Sequence, residues 1–385
     1  MENAGSSSSW VRDRGPLRDA PRSLLIVMLS AIGDAVQVLP LVSALRRAYP
    51  DLHLSWVLQA GPLSLVRGHR AVDELILFHR GDRHRFGRSM VTALKGISST
   101  YRQLKATAAR LPGGRFDLLL DLQVYLKAGL ITGLTPAAVK VGFDKRRSRD
   151  LNHFFTTHRI PPNQRTHAHI QDQYFEFLHF MGVDPEPVEF GLVLSDAEKR
   201  TQEVFFSNIH RPVAALVVAS SDRRKNWDPE SYALVARELR SFFGLQPVLV
   251  GGHSPLEERM ARTILHRCGA DVLDARGGGL RRLLWLLDGA RVVISPDTGP
   301  LHMARAMEAP VVGLYGFTNP KRSGPYRRFT ELIVDGYAHF QGEEYPVSME
   351  RRPGGMERIT PTMVMEKVEQ ALVYPWPRRQ ERDSG

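Results

Sequence analysis

Three polar loops, each following an apolar run, hold the side chains of this chain that could do chemistry. At 293–316 it reads VISPDTGPLHMARAMEAPVVGLYG, and Asp297, Thr298, Gly299 and His302 fall within six positions between two apolar runs. Asp297 or Thr298 suits the cap of a helix beginning near Gly299-Pro300, where proline fits the first turn. Gly299 permits close backbone approach, and Thr298 and His302, four apart, share a helix face. Amide N–H groups there, with the positive end of the helix dipole, form an anion site suited to a pyrophosphate. Capping alone accounts for one of these residues, not for the set.

The second loop is ASSDRRKNWDPESY, residues 219–232. Ser220 and Ser221 offer hydroxyls, Lys225 a point charge and Trp227 a large amphipathic face. Lysine beside a helix N-terminus is a natural partner for phosphate, although with three successive cations at least one is merely solvated. In the remaining loop, LSAIGDAVQVLP (29–40), Gly33 allows a sharp turn and Asp34 opens the next helix. Two readings of Asp34 stand: an ordinary N-cap, or a general base that takes a proton from an attacking hydroxyl.

The elements that must position these loops are short apolar runs alternating with helical stretches. Strands are expected at 24–29, 52–58, 74–78, 117–122 and 139–143, then at 213–219, 247–252, 272–273, 291–294 and 311–315. Helical spacing follows Asp34 as far as Tyr49, runs over 89–111, resumes after the strand at 117–122 as far as about 133, and returns at 229–243, 256–268, 280–287 and 301–307. Such alternation means βαβ units and an α/β fold with parallel sheets. Two sets, split near 183–195, mean two Rossmann-like domains facing across a cleft, and ligands of open parallel sheets lie outside the carboxyl ends of the strands. The expected organisation is a disordered extension at 1–22, a first domain at 23–187, a second at 188–358, and a C-terminal helix and tail at 359–385. The apolar stretch 23–45 is long enough to span a bilayer, but Asp34 would lie at mid-membrane, so strand, loop and helix start is the better reading.

Composition narrows the function classes. Of 385 residues, 43% are hydrophobic and 24% charged, which is ordinary for a globular protein. The single cysteine, Cys268, excludes an internal disulfide and a Cys-rich metal site. A net charge of +11 points to an acidic partner, with basic clusters at 80–88, 145–149 and 223–225. No zinc-finger, RRM or KH pattern accompanies them, so nucleic acid is not an expected partner. The chain also lacks GxxxxGK[ST], a GxGxxG after a strand, HExxH and any Asp-x-Asp pair. A site without a metal, neutralised by Lys225 and a helix end, is the simpler expectation.

At these loops the chain resembles glycosyltransferase family 9, the heptosyltransferases of lipopolysaccharide core synthesis. The resemblance rests on LSAIGDAVQVLPLVSALRRAYP, SSDRRKNWDPESY and SPDTGPLHMARAMEAPVVGLYGFTNPKRSGPY, and extends through LLLDLQVYLKAGLITGL, GFDKRRSRDLNHFF and THAHIQDQYFEFL. It implies a GT-B fold and an inverting transferase that needs neither metal nor other cofactor. The implied donor is an ADP-activated heptose, bound by the second domain. The implied acceptor is the anionic Kdo/heptose inner core of lipopolysaccharide, bound by the first. Carried over residue by residue, Asp34 takes the place of the catalytic base and Lys225 that of the lysine at the donor phosphates. Ser220, Ser221, Asp297, Thr298, Gly299 and His302 fall on the donor side. Gly33, Arg80, Arg83, Arg85, Lys127 and Arg149 fall in regions that meet the acceptor. The family also implies a cytoplasmic enzyme in peripheral contact with the anionic inner membrane. Residues 142–150 are more basic than usual, and 1–22 and the tail after Pro375 have no counterpart, which bears on the acceptor more than on the reaction. Two other readings stay open: a GT-B enzyme for another nucleotide sugar or acceptor, and a non-catalytic nucleotide- or glycan-binding protein.

Overall fold

The structure is a computed structural model that describes residues 19–79, 89–161, 168–374 and 376. The chain divides into two compact units between Gly191 and Leu192, with residues 168–170 belonging to the second.

The first unit is built on six parallel strands: β1 (Ser23–Val27), β2 (His53–Leu58), β3 (Glu74–Leu77), β4 (Phe116–Asp121), β5 (Ala137–Phe143) and β6 (His158–Ile160). Their order is β3-β2-β1-β4-β5-β6. Central β1 is buried along its whole length, and Ile26 pairs with Trp56 on one side and Leu120 on the other. A strand covered on both faces has no polar side to show, so it reads in sequence as an unbroken apolar run. Met28 and Leu29 leave the ladder, and the Leu29 N–H donates instead to Gln123 Oε1 (3.2 Å). The stretch 23–45 is thus a strand followed by the helix Ile32–Ala48. Among the described residues no helix is long and apolar enough to cross a membrane.

The second unit repeats the plan with β7 (Val213–Val217), β8 (Gln246–Val250), β9 (Leu273–Asp274), β10 (Val292–Pro296), β11 (Val311–Tyr315) and β12 (Ile333–Asp335), ordered β12-β11-β10-β7-β8-β9. Counted from its own first strand this is the same arrangement as the first sheet. Both are α/β Rossmann-like sheets, as the alternation of runs implies. The edge strands β6 and β12 were not expected, because HRI and IVD are three residues long and carry no period. Helices Ala60–Val66, Ile170–Phe180 and Asp196–Ser207 were also missed.

Trp227 is not a ligand-facing surface. It is 2% exposed, donates Nε1–H to Ile359 O (2.9 Å) and packs edge-on against Tyr232, so it belongs to the core of the second unit. A second constraint lies where two backbones cross at Gly316 and Gly355. A Cβ on Gly355 would come within 1.8 Å of Gly316 O. Beside this crossing Arg352 N–H donates to Phe317 O (3.1 Å) and Thr318 bridges Arg351, which fixes the turn that carries Thr318. Gly355→Ala is expected to cost about 2–3 kcal/mol, as overpacking at a rigid site does. A urea titration checks this, and an unchanged midpoint would contradict it.

Candidate active site

In the second unit the polar loops follow β7 and β10. These strands are hydrogen-bonded neighbours, and between them the strand order reverses. At such a switch point the two crossovers leave in opposite directions and open a crevice at the carboxyl edge. Asp297 follows β10 directly and is 5% exposed. Its Oδ2 accepts from Lys225 Nζ (2.7 Å) and Thr318 Oγ1 (2.6 Å), with Ser323 Oγ at 3.5 Å. Burial alone would push this carboxyl up. The Lys225 charge and the hydrogen bonds outweigh it, and Asp297 is held below the ordinary carboxylate range.

The expected capping is corrected here. Thr298 occupies the N-cap position of the helix Gly299–Ala306 but makes no side-chain cap, and Asp297 turns inward to Lys225. The helix therefore begins with Pro300 in its first turn and no side chain folded over its amides. His302 is 7% exposed, and its Nε2 lies 3.8 Å from Asp297 Oδ1, beyond a hydrogen bond. Burial lowers its pKa to about 4, so it is neutral at pH 7 and Lys225 is the cation that balances Asp297.

The loop after β7 is held by a reciprocal clamp. Ser220 N–H donates to Asn226 Oδ1 (2.6 Å), and Asn226 Nδ2–H donates to Ser220 O (3.1 Å). Ser220 Oγ accepts from the Asp222 N–H (3.3 Å), whereas Ser221 is exposed. The three cations separate as charge alone could not show. Arg223 is exposed, Arg224 pairs with Asp222 and covers the Phe317 ring, and Lys225 reaches Asp297. Thr318 and Asn226 were missed as individual residues; Asn226 lies within ASSDRRKNWDPESY, and Thr318 lies just past 293–316, in the stretch that carries the family resemblance.

In the first unit, Gly33 and Asp34 sit at the start of the helix Ile32–Ala48, just beyond β1. Ala31, not Asp34, holds the N-cap position, and Asp34 reaches back from the third helical residue to accept the Ala31 N–H at Oδ2 (3.0 Å). This bond fixes the carboxylate while leaving it partly exposed. Gln123 Nε2 donates to Ser30 O, and Lys127 Nζ lies 3.5 Å from Ser30 Oγ. Arg149 N–H donates to Val124 O (2.7 Å) in the loop after β4, while Asp34 and Lys127 sit in the first turns of the helices Ile32–Ala48 and Leu126–Leu134 that follow β1 and β4. Arg80, Arg83 and Arg85 lie outside the described residues.

Asp121, at the end of β4, was not foreseen. It is fully buried, and Oδ2 accepts from Thr132 Oγ1 (2.8 Å) and Asn152 Nδ2 (3.0 Å) while Oδ1 accepts from the Gln123 N–H (3.1 Å). Burial pushes its pKa up to about 6 against these bonds. In sequence the sole hint was an acid closing the apolar run DLLLDL. Among the described residues no three His, Cys, Asp or Glu side chains gather as a metal-ligand set.

With this geometry in place, the pattern of glycosyltransferase family 9 (heptosyltransferase) matches residues 105–346, more than half of the chain. The chain belongs to glycosyltransferase family 9. It is therefore an enzyme that transfers a sugar, with the two Rossmann-like units of the GT-B fold. The family match includes Lys127, Arg149 and the whole donor-side set, whereas Gly33 and Asp34 precede it. The chain is similar to the lipopolysaccharide core heptosyltransferase OpsX of Haemophilus influenzae, 26% identical over 82% of this chain and 85% of that one. It shares its fold with a family 9 glycosyltransferase from Veillonella parvula (TM-score 0.75, 20% identity, covering 93% and 99% of the two chains). It shares it also with E. coli heptosyltransferase WaaC solved with ADP (TM-score 0.69, 22% identity, covering 91% and 99%).

The buried His302 gives the Lys225–Asp297 cluster a pH signature. Its folded pKa of about 4 lies below the ordinary value of 6.5, so between these pH values the unfolded chain binds a proton that the folded chain refuses. The His302 contribution is full above about pH 6.5 and is lost as pH falls toward 4. From pH 7 to 5 it should remove about 2 kcal/mol of stability, and His302→Gln should abolish that share. Urea melts at the two pH values test this, and equal losses in both proteins would refute it.

Proposed function

We propose that this family 9 enzyme transfers a heptose from an ADP-activated donor to the Kdo/heptose inner core of lipopolysaccharide, with inversion and without a metal ion. The observation that carries the reading is the Lys225–Asp297–Thr318 cluster beside the uncapped start of the helix Gly299–Ala306. A held ammonium next to free-standing helix amides is what a diphosphate leaving group requires. The names of two relatives agree with it: one is a lipopolysaccharide core heptosyltransferase, and another was solved with ADP.

In this reading the reaction is one in-line displacement. Asp34 takes the proton from the acceptor hydroxyl, and that oxygen attacks the anomeric carbon as its bond to the diphosphate breaks. Lys225 and the amides near Thr298 and Gly299 take up the charge on the departing ADP. Asp297 holds Lys225 in position, Ser220 and Ser221 line the donor loop, and His302 serves as a neutral wall beside Asp297. Gly33, Lys127 and Arg149, with Arg80, Arg83 and Arg85, receive the anionic acceptor. Residues 23–187 thus serve the acceptor and 188–358 the nucleotide sugar. The charge of +11 suits a cytoplasmic enzyme that meets the anionic membrane face carrying its acceptor.

Asp34→Asn keeps an acceptor for the Ala31 N–H, so fold and ADP binding should persist while turnover drops on the order of 10² to 10⁴-fold. Near-normal turnover would remove Asp34 from the mechanism. Lys225→Ala should weaken donor binding and slow turnover by about 10²-fold, and unchanged kinetics would exclude it from the site. Mass spectrometry of products from a panel of nucleotide sugars, with and without EDTA, separates this reading from one using another donor or a divalent ion.

A further inference from the structure

Apart from the candidate site residues, the first unit shows an apolar surface that its own fold leaves uncovered. Leu151 and Phe154 are 61% and 66% exposed, and Tyr125 and Leu126 are 42% and 41% exposed. Two segments carry them, and these are stitched together. The Arg149 N–H donates to Val124 O (2.7 Å), and Asn152 Nδ2 donates to Tyr125 O (3.1 Å). The Phe154 N–H closes a turn on Leu151 O (3.1 Å). The exposure does not come from a loose loop, because Asn152, between the two most exposed residues, is wholly buried and also bonds Asp121.

Leu151 has φ 64 and ψ 15, and Asp150 before it has φ 49. A bulky side chain adopts this left-handed conformation at a cost that glycine would not incur. The fold thus keeps a strained leucine and shows it to solvent. Lys145, Arg146 and Arg149 are exposed in the same loop. Arg147 is not one of them, since it is turned inward to Asp144 and Glu176. Asp150 is the one acid in the stretch 145–154.

We propose that this face docks on an anionic lipid bilayer, with Leu151 and Phe154 entering the headgroup–acyl boundary and Lys145 and Arg146 meeting lipid phosphates. Charge complementarity selects this occupant: the apolar side chains stand among cations, and the whole chain carries +11. A bilayer takes apolar side chains and cations together over a small area and needs no shaped complement. The docking gives a lipid-linked acceptor a defined approach to the unit that carries Asp34. In that respect it deepens the proposed function, but its observations are independent of the donor and of the chemistry.

The test is co-sedimentation of the full chain with vesicles of phosphatidylcholine alone or mixed with phosphatidylglycerol. The parent should pellet with the anionic vesicles only, and less in high salt. Leu151→Ser with Phe154→Ser should weaken pelleting on the order of tenfold or more. Leu151→Gly should weaken it too while keeping or raising Tm, which separates lost docking from lost folding. Turnover on a delipidated, water-soluble core oligosaccharide should match the parent in all of these variants. Undiminished pelleting by the double variant overturns the proposal. So does a dimer that the double variant dissolves without change in pelleting, or a loss of turnover on the soluble acceptor. Failure of the parent to use ADP-heptose while it still pellets would instead count against the proposed function and leave the docking intact.

Discussion

The second unit of this protein is organised around one buried contact, the 2.7 Å pair between Lys225 and Asp297. A carboxylate with 7% of its side chain exposed is costly to keep charged, and it stays charged because an ammonium and a threonine hydroxyl converge on the same oxygen. Each partner then demands its own support. Lys225 needs the loop held by the Ser220–Asn226 clamp. Thr318 needs the turn fixed where the backbones cross at Gly316 and Gly355. The pair leaves Lys225 half-covered, oriented and next to a helix start that no side chain caps. Orientation before binding is what would make such a charge useful to an anion at the helix start, because little reorganisation would remain to be done.

The first unit meets the equivalent problem with an acid whose pKa burial raises to about 6. Asp121 ends β4, and three hydrogen bonds join it to Gln123, Thr132 and Asn152. Gln123 then reaches Ser30 and Leu29 in the loop that leads to Asp34, and Asn152 holds Tyr125. One buried side chain thereby ties together the segments that lead into Asp34, Lys127 and Arg149. Both units place their polar loops after the central strand pair, β1 with β4 and β7 with β10, where a parallel sheet reverses its order and leaves its carboxyl edge open.

The architecture was legible in sequence because central parallel strands are covered on both faces. Runs such as LLIVML and VAALVVA can be nothing else when helical stretches separate them. The edges were not legible, since β6 and β12 are three residues each and take their pairing from a neighbour already in place. In the site, Asp34, Lys225 and the Asp297–His302 stretch stood out because polar residues crowd between apolar runs. The cap expected from Asp297 or Thr298 was misjudged, since composition does not say which way a side chain turns.

The sequence alone therefore determined the alternation of central strands with helices, the polar loops that follow those strands and the family, for each of these is written in local pattern and spacing. Only the tertiary structure decided what each polar side chain does. It paired Lys225 with Asp297 across 72 positions, turned Arg224 to Asp222 and Trp227 into the core, and made Ala31 rather than Asp34 the helix cap. These outcomes depend on which strands lie side by side at the carboxyl edge. That adjacency is long-range and appears in the chain only after it has folded.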